Sequence, residues 1–189
     1  MADAPAAAGA DDSTDETDET EAEAEAPEPE PERLHGALVV RTNSEVVLHC
    51  DRSKLVELVT NLRGDGYWQC IDLCGVDYLT HPGRSGLPES VTPERFEVVV
   101  SLLNHDAGSR VRIRVQVPAD DPTVPTLFFV HPGAEAMERE AWDMFGITFT
   151  DHPDMSRILM PDEWDGHPLR KDYGMGRIPV QFKHDPVGR

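Results

Sequence analysis

Residues 137–146 bring four ionisable side chains together and are the first candidates for chemistry in this sequence. Glu138, Glu140 and Asp143 carry carboxylates, and a buried carboxylate beside a substrate pocket can act as a general acid or base. Arg139 lies among them, and a neighbouring positive charge holds carboxylates in the ionised form. The stretch is therefore more typical of a structural ion-pair network than of an acid–base catalyst.

Metal binding is the second chemistry to consider. Cys70 and Cys74 lack the usual spacing of a metal-binding pair. Cys50 is the one further cysteine, and three thiolates cannot complete a four-cysteine site. On a regular strand residues 70 and 74 share a face, so we expect them to be small core side chains. A stand-alone metal-dependent enzyme remains an open alternative, with the candidate ligands His131, Asp151, His152, Asp154 and His167.

The charge of the chain is concentrated at its N-terminus. Of 36 acidic residues, thirteen lie in residues 1–32, which contain no Lys or Arg. Residues 33–189 then hold 23 acidic and 17 basic residues, a net charge of −6. Because residues 1–32 have no large apolar side chain after Met1, we predict a disordered acidic tail. It serves either as a solubilising extension or as a ligand for a basic partner.

Two classes of protein are disfavoured by composition. No stretch reaches the roughly 18 to 20 apolar residues that span a bilayer, and the N-terminus lacks the pattern of a signal peptide. We therefore expect a cytoplasmic protein, or one attached to a membrane through another protein. Arg110, Arg112 and Arg114 form a basic strand face, but without interleaved aromatic side chains this does not predict nucleic-acid binding. We expect a solvated face, or one met by acidic groups of a partner.

Hydrophobic periodicity outlines an α/β domain over residues 33–150. A helix is predicted over 51–63, with Asp51 as its N-cap and Gly64 as a left-handed terminator. The predicted strands are 37–41, 45–50, 67–79, 95–104 and 110–117, and the predicted loops are 80–94 and 118–125.

A further helix is predicted from Ala134 to Phe145, ending at Gly146. Arg139 lies four residues from both Glu135 and Asp143, a spacing that predicts two ion pairs along the helix surface. The buried stripe of this helix is predicted to contain Ala134, Met137, Ala141 and Met144 or Phe145.

Residues 151–189 have a different character, with frequent Pro and Gly and no regular period. Large apolar side chains are nevertheless scattered through them, which a solvated linker would not carry. We expect an extended irregular C-terminal arm that either packs back onto its own domain or wraps around a partner. The predicted fold class is α+β, a small mixed α/β domain with a largely antiparallel sheet and two to three helices, followed by this arm.

The order and spacing of residues 138–173 resemble those of a known family. The relevant segments are 138–146, 152–154, 157–161, Trp164 and 166–173, with weaker matches at 70–78, 95–99 and 110–113. Together they resemble the hydrophilic, cluster-free C subunit of the proton-pumping NADH:quinone oxidoreductase, complex I. The sequence departs from the family pattern at His131 and Ala136, where tryptophans are frequent, and at Gly174, where a proline often stands.

The resemblance implies a compact α/β domain whose arm lies on the quinone-site D subunit, near cluster-bearing subunits of the peripheral arm. It implies no chemistry on this chain, because FMN, the iron–sulfur clusters and quinone belong to other subunits. It also implies a peripheral position at the cytoplasmic face of the bacterial membrane. The equivalent subunit of a related membrane-bound hydrogenase, or of a dehydrogenase with another electron donor, remains an alternative.

The resemblance also assigns roles to the motif. Glu138, Arg139, Glu140 and Asp143 are expected to brace the helix and the start of the arm, and four further charged residues are expected to contact the partner, namely Arg157, Arg170, Lys171 and Asp172. The remaining motif positions expected at the brace or interface are Phe145, Gly146, His152, Trp164, His167 and Tyr173.

Overall fold

The structure is a computed structural model that describes residues 31–42, 45–84 and 86–174. The predictions for the acidic tail up to residue 30 and for the end of the arm, 175–189, lie outside the described residues. Within the described ranges, no helix is both long and apolar enough to cross a membrane.

A six-stranded sheet forms the centre of the domain. Its strands are β1 (Arg33–Leu34), β2 (Ala37–Arg41), β3 (Val46–Cys50), β4 (Gln69–Asp77), β5 (Phe96–Asn104) and β6 (Ser109–Val117). Their order is β1-β2-β3-β6-β5-β4, and β3 with β6 is the one parallel pairing among them. Helix α1 spans Leu55–Gly64 and helix α2 spans Glu135–Phe145. The predicted fold class, largely antiparallel with two helices, is confirmed.

Alternation along β6 explains the core. Val111, Ile113, Val115 and Val117 are buried, as the period of two predicts. The i, i+3, i+4, i+7 stripe of α1 joins the same cluster through Leu55, Leu58, Val59 and Leu62.

The C-terminal half of the opposite face of β6, at Arg114 and Gln116, is covered by groups of the same chain, whereas a solvated face, or one met by acidic groups of a partner, was expected. Glu97 on β5 is fully buried and accepts hydrogen bonds of 2.6 Å from both Arg114 Nε and Gln116 Nε2. Arg114 also donates to the carbonyl of Gly86 in the predicted 80–94 loop, at 3.3 Å. The expectation fails here because a buried carboxylate needs donors, and the arginine stripe supplies them. Arg112 remains exposed, as expected.

The ends of α1 differ from the prediction. A 3-10 turn at Arg52–Lys54 precedes it, and the Asp51 side chain makes no capping hydrogen bond. Gly64 is the last helical residue, and the left-handed conformation falls at Gly66 instead, with φ of 96°. The chain thus takes one further turn before it enters β4.

A bulge in β4 overturns the prediction that two cysteines share a face. The register against β5 shifts between Cys70 and Asp72, so that Leu73, not Cys74, follows Cys70 on the same face. Cys74 is consequently exposed and Cys70 half-buried.

The predicted 118–125 loop contains a short strand, β7 (Thr123–Pro125). It pairs in parallel with β8 (Thr148–Thr150), which follows α2. Periodicity could not reveal two strands of three residues each, because neither is long enough to show alternation.

Candidate functional site

Helix α2 and the chain that follows it form the candidate site. We call residues 151–174 the C-terminal segment. Ala134, Ala141 and Met144 of the predicted stripe are buried, but Glu138 and Asp143 are fully buried beside them. The helix therefore turns two carboxylates inward, whereas a surface network was expected.

Asp143 is the hydrogen-bonding centre of the site. Its Oδ2 accepts from three successive backbone N–H groups, those of Ile158 at 3.1 Å, Leu159 at 2.8 Å and Met160 at 2.9 Å. Its Oδ1 forms an ion pair with Arg157. Burial works to raise the pKa of Asp143, but the three N–H donors and Arg157 outweigh it and lower the pKa. The carboxylate is held as an anion that fixes the turn at 157–160.

Arg139 fastens the preceding part of the same turn. It donates to the carbonyl of Ser156 at 3.1 Å, to Ser156 Oγ at 2.9 Å and to the carbonyl of Arg157 at 3.1 Å. The predicted ion pair with Glu135 is confirmed at 3.4 Å. The predicted pair between Arg139 and Asp143 is wrong, because Asp143 points into the turn and Arg157 takes it. Glu140 is exposed and pairs with no basic group of the described residues, so it is not part of the brace there.

The C-terminal segment also satisfies the last carbonyls of α2, which have no partner within the helix. The His167 ring lies 3.0 Å from the carbonyl of Asp143, and the backbone N–H of Leu169 donates to that of Met144 at 3.0 Å. Arg170 Nε donates to the carbonyl of Phe145 at 2.5 Å. A guanidinium at a helix C-terminus also interacts favourably with the helix dipole.

Gly146 makes this approach possible, and its predicted role is confirmed. Its φ of 71° is left-handed, and its N–H donates to the Trp142 carbonyl at 2.8 Å. A Cβ at this position would collide with the Arg170 guanidinium and the His167 ring. The glycine therefore both ends the helix and admits the two side chains that cap it.

A second anchor joins the C-terminal segment to the sheet, and sequence analysis gave it no role. Asp77 at the end of β4 is buried and binds Arg95 Nη2 at 3.0 Å and the backbone N–H of Lys171 at 2.9 Å. Arg95 also pairs with Asp172 at 2.7 Å. Burial opposes ionisation of Asp77, yet the Arg95 and backbone donors lower its pKa. The sequence did contain one signal for this contact, because Asp77 and Arg95 carry opposite charges at the ends of two neighbouring strands.

Glu138 has a different environment. It accepts from the N–H of Leu127 at 2.6 Å and from Thr126 Oγ at 2.5 Å, and His152 Nε2 lies 3.8 Å away. Burial is the largest influence and raises the pKa of Glu138. The expectation that Arg139 keeps it ionised is wrong, because that side chain points to Ser156. Glu138 lines neither the 770 Å³ cavity against β2 and β3 nor the 230 Å³ cavity beside Arg84.

Three motif aromatics complete the geometry. The carbonyl of Trp164 accepts from Arg157 Nη2 at 2.8 Å, which closes the turn around that guanidinium. Tyr173 donates from its hydroxyl to the carbonyl of Asp165 at 3.2 Å, and its ring lies against Gly166. The Phe145 ring packs on Gly75 of β4.

Residues 48–178 match the family described as "Respiratory-chain NADH dehydrogenase, 30 Kd subunit". The chain belongs to this family. Its relatives include the NADH-quinone oxidoreductase C subunit of Saccharopolyspora erythraea, 43% identical over 142 residues, and that of Herpetosiphon aurantiacus, 42% identical over 146 residues. The first alignment covers 74% of this chain and 53% of the relative, and the second covers 76% and 79%. The chain thus spans about half the length of some curated relatives it matches.

Two solved structures superpose on this chain. A trypsin-resistant fragment of Nqo5, residues 1–134 in P63 form, is 33% identical and superposes with a TM-score of 0.56. That match covers 63% of this chain and 89% of the fragment. A chain of the membrane-bound sulfane sulfur reductase, an archaeal respiratory membrane complex, superposes with a TM-score of 0.61 over 74% of this chain and 78% of its own. At 22% identity the latter shows a shared fold alone.

In this 30 Kd subunit family member, three residues that are expected to contact a partner form bonds within the chain, and their partner contacts stay predictions. Arg157 binds Asp143, Arg170 binds the Phe145 carbonyl, and Asp172 binds Arg95. The reason is that a buried aspartate and a helix end with free carbonyls need donors close by. The Lys171 side chain is exposed, and its expected partner contact stays a prediction.

The alternative metal site is not assembled. His131 lies against Arg63, His152 against the Glu135 carbonyl, and His167 against the Trp142 ring. Across the described ranges, no group of three or more His, Cys, Asp or Glu side chains could hold a metal ion. The ionisable side chains of the candidate site instead bind the C-terminal segment to α2 and to the sheet.

Proposed function

We propose that this chain is a non-catalytic structural subunit of an NADH-quinone oxidoreductase. In such a complex electrons pass from NADH through FMN and iron–sulfur clusters to quinone, coupled to proton translocation. The chain helps to build the quinone-reducing module with the quinone-site D subunit and neighbouring cluster-bearing subunits of the peripheral arm. Its membership of the 30 Kd subunit family is the observation that carries this proposal.

The use of the motif's ionisable groups supports a structural role. The turn that begins the C-terminal segment is held by hydrogen bonds and ion pairs of Asp143, Arg157 and Arg139. A catalytic acid or base must reach a substrate proton, whereas these groups reach backbone atoms of their own chain. FMN, the iron–sulfur clusters and quinone are accordingly held by other subunits.

The same proposal places the chain at the cytoplasmic face of the bacterial membrane. Attachment is indirect, through the rest of the complex, and involves no nucleic acid. The chain contributes a rigid domain and a fastened C-terminal segment that other subunits can dock against.

The test is complex assembly in cells that carry a tagged chain. Arg139→Ala removes the donors to Ser156 and Arg157, so we expect a reduced yield of membrane-bound complex and an unchanged NADH:quinone turnover per assembled complex. Arg110→Ala is the matched control, because that exposed side chain bonds to no other side chain of the described residues. A normal yield with slow turnover would contradict the structural role. The subunits that co-purify also identify the electron donor.

A further inference from the structure

The His152 side chain is fully buried between α2 and the start of the C-terminal segment. Its Nδ1 lies 3.1 Å from the backbone nitrogen of Asp154, and its Nε2 lies 3.3 Å from the carbonyl oxygen of Glu135. A backbone N–H can only donate and a carbonyl oxygen can only accept, so Nδ1 carries the lone pair and Nε2 carries the proton. His152 is therefore the neutral Nε2–H tautomer. Both ring nitrogens are occupied, which leaves neither of them for a metal ion.

The hydrogen bond between Asp154 and His152 leads on into the turn that Arg139 holds. Asp154 Oδ1 accepts from the backbone N–H of Ser156 at 3.1 Å. The carbonyl and the hydroxyl of Ser156 in turn accept from Arg139. The neutral ring thus fixes residues 152–156, immediately before the turn that is fixed by Asp143.

A second proton on the His152 ring would exchange one contact for another. The charged residues on the elements that pack against the ring are Glu135, Glu138 and Arg139 of α2 and Asp151 and Asp154 of the segment itself. Of these, Glu138 Oε2 lies 3.8 Å from Nε2, whereas the Glu135 carboxylate is paired with Arg139. The Glu138 carboxylate would attract an imidazolium. A proton on Nδ1 would at the same time face the N–H of Asp154, and two donors cannot bond to each other.

We propose that His152 is a pH-sensitive switch at the start of the C-terminal segment. The neutral ring accepts from Asp154 and fastens residues 152–156. When Nδ1 takes a proton from solvent, the imidazolium pairs with Glu138 and the N–H of Asp154 is released. Because the fastened form is the deprotonated one, the fastening is present at high pH and is lost as the pH falls through the range in which histidines titrate, from about 8 to about 5. The switch uses contacts within the chain and does not rest on the proposed function.

The test follows amide exchange and the imidazole nitrogens by NMR in the full chain. After correction for the intrinsic pH dependence of exchange, we expect protection of the Asp154 amide to fall about ten-fold from about pH 8 to about pH 5, the effect of one lost hydrogen bond. The Leu159 amide is the internal reference, because its acceptor Asp143 has a pKa below its ordinary value and stays ionised in this range. At neutral pH the nitrogen chemical shifts of His152 should report a proton on Nε2 and none on Nδ1.

His152→Asn separates this switch from the other titrating groups. An Asn side chain can accept from the backbone N–H two residues on, but it takes no proton, so protection of Asp154 should stay constant with pH. His81→Asn, at an exposed histidine in the 80–94 loop, is the matched control and should keep the wild-type pH dependence.

Three outcomes would overturn the proposal. They are constant Asp154 protection in the wild type, a wild-type pH dependence in His152→Asn, and a proton on Nδ1 at neutral pH. The wild-type titration alone decides between the fixed and the switching ring if His152→Asn does not fold.

Discussion

Asp143 shows how one side chain can fix a whole turn. Its carboxylate accepts from the N–H groups of residues 158, 159 and 160 and from Arg157, so one buried anion has four donors. Three consecutive N–H groups that converge on one oxygen form an anion-binding concavity in the backbone. Here the anion is the Asp143 side chain of α2, so the conformation of the turn depends on its contact with the helix.

Replacing Asp143 with Asn should therefore be costly. The amide loses the charge that Arg157 pairs with and leaves a buried guanidinium without a counter-ion. We expect the free energy of unfolding to fall by about 3 kcal/mol. Asp162→Asn, at an exposed position, should change it by less than about 0.5 kcal/mol. Urea denaturation of both variants measures the difference, and equal effects would remove Asp143 from the centre of the site.

Gly146 makes a second prediction at the scale of the residue. Gly146→Ala adds a Cβ to a left-handed residue and places it against Arg170 and His167. We expect a loss of more than about 1 kcal/mol in the free energy of unfolding. Gly133→Ala is the control, because a Cβ there meets no atom within 4 Å and the backbone is not left-handed. Similar denaturation midpoints for the two variants would contradict the proposed close approach.

At the scale of elements, α2 is connected on every side. Glu138 ties it to the Thr126 hydroxyl and the Leu127 N–H. Arg139 and Asp143 tie it to the C-terminal segment, and Phe145 packs on β4. The helix thus connects the sheet to the segment that follows. Loss of one tie should loosen the segment before it loosens the sheet, because the sheet has its own core.

Hydrogen exchange can test this order. In Arg139→Ala we expect faster amide exchange across residues 156–160 and little change across the β5–β6 hairpin, 96–117. The physical reason is that Arg139 donates hydrogen bonds to Ser156 and Arg157 and forms none with the described residues of the hairpin. Arg110→Ala should leave exchange in 156–160 as in wild type. Uniform acceleration of both regions would mean that segment and sheet open as one unit.

For the whole molecule, buried carboxylates predict acid sensitivity. Asp77 and Asp143 have pKa values lowered below 3.8, so their stabilisation is present above that value and is lost as the pH falls through the folded-state pKa. Glu138 has the opposite sign, because its pKa is raised above 4.5 and its contribution is lost as the pH rises. With two lowered groups against one raised group, we expect stability to fall as the pH drops from about 4 to about 3.

The measurement is chemical denaturation across this pH range in wild type and Asp143→Asn. The variant lacks one of the acid-labile contributions, so the difference in unfolding free energy between the two proteins should shrink as the pH falls. A difference that stays constant from pH 7 to about pH 3 would show that folding does not lower the pKa of Asp143.

The sequence by itself determined the helices and strands in which apolar residues recur with a regular period over many residues. The valines of β6 and the leucines of α1 alternate or repeat over several turns, so burying them requires a strand and a helix. Gly146 was equally predictable, because a left-handed helix end favours the one residue without a Cβ. The motif in 138–173 also indicated the family, which residues 48–178 confirm.

Only the tertiary structure decided which charged side chains pair with each other. The i, i+4 spacing offered Arg139 to Asp143, but the fold brings Arg157 to that carboxylate and Ser156 to Arg139. Asp77 and Arg95 likewise gained their role from Lys171, a residue 94 positions away along the chain from Asp77. Spacing describes neighbours on one helix, whereas a buried carboxylate is satisfied by any donor the fold delivers, and that delivery depends on every element at once.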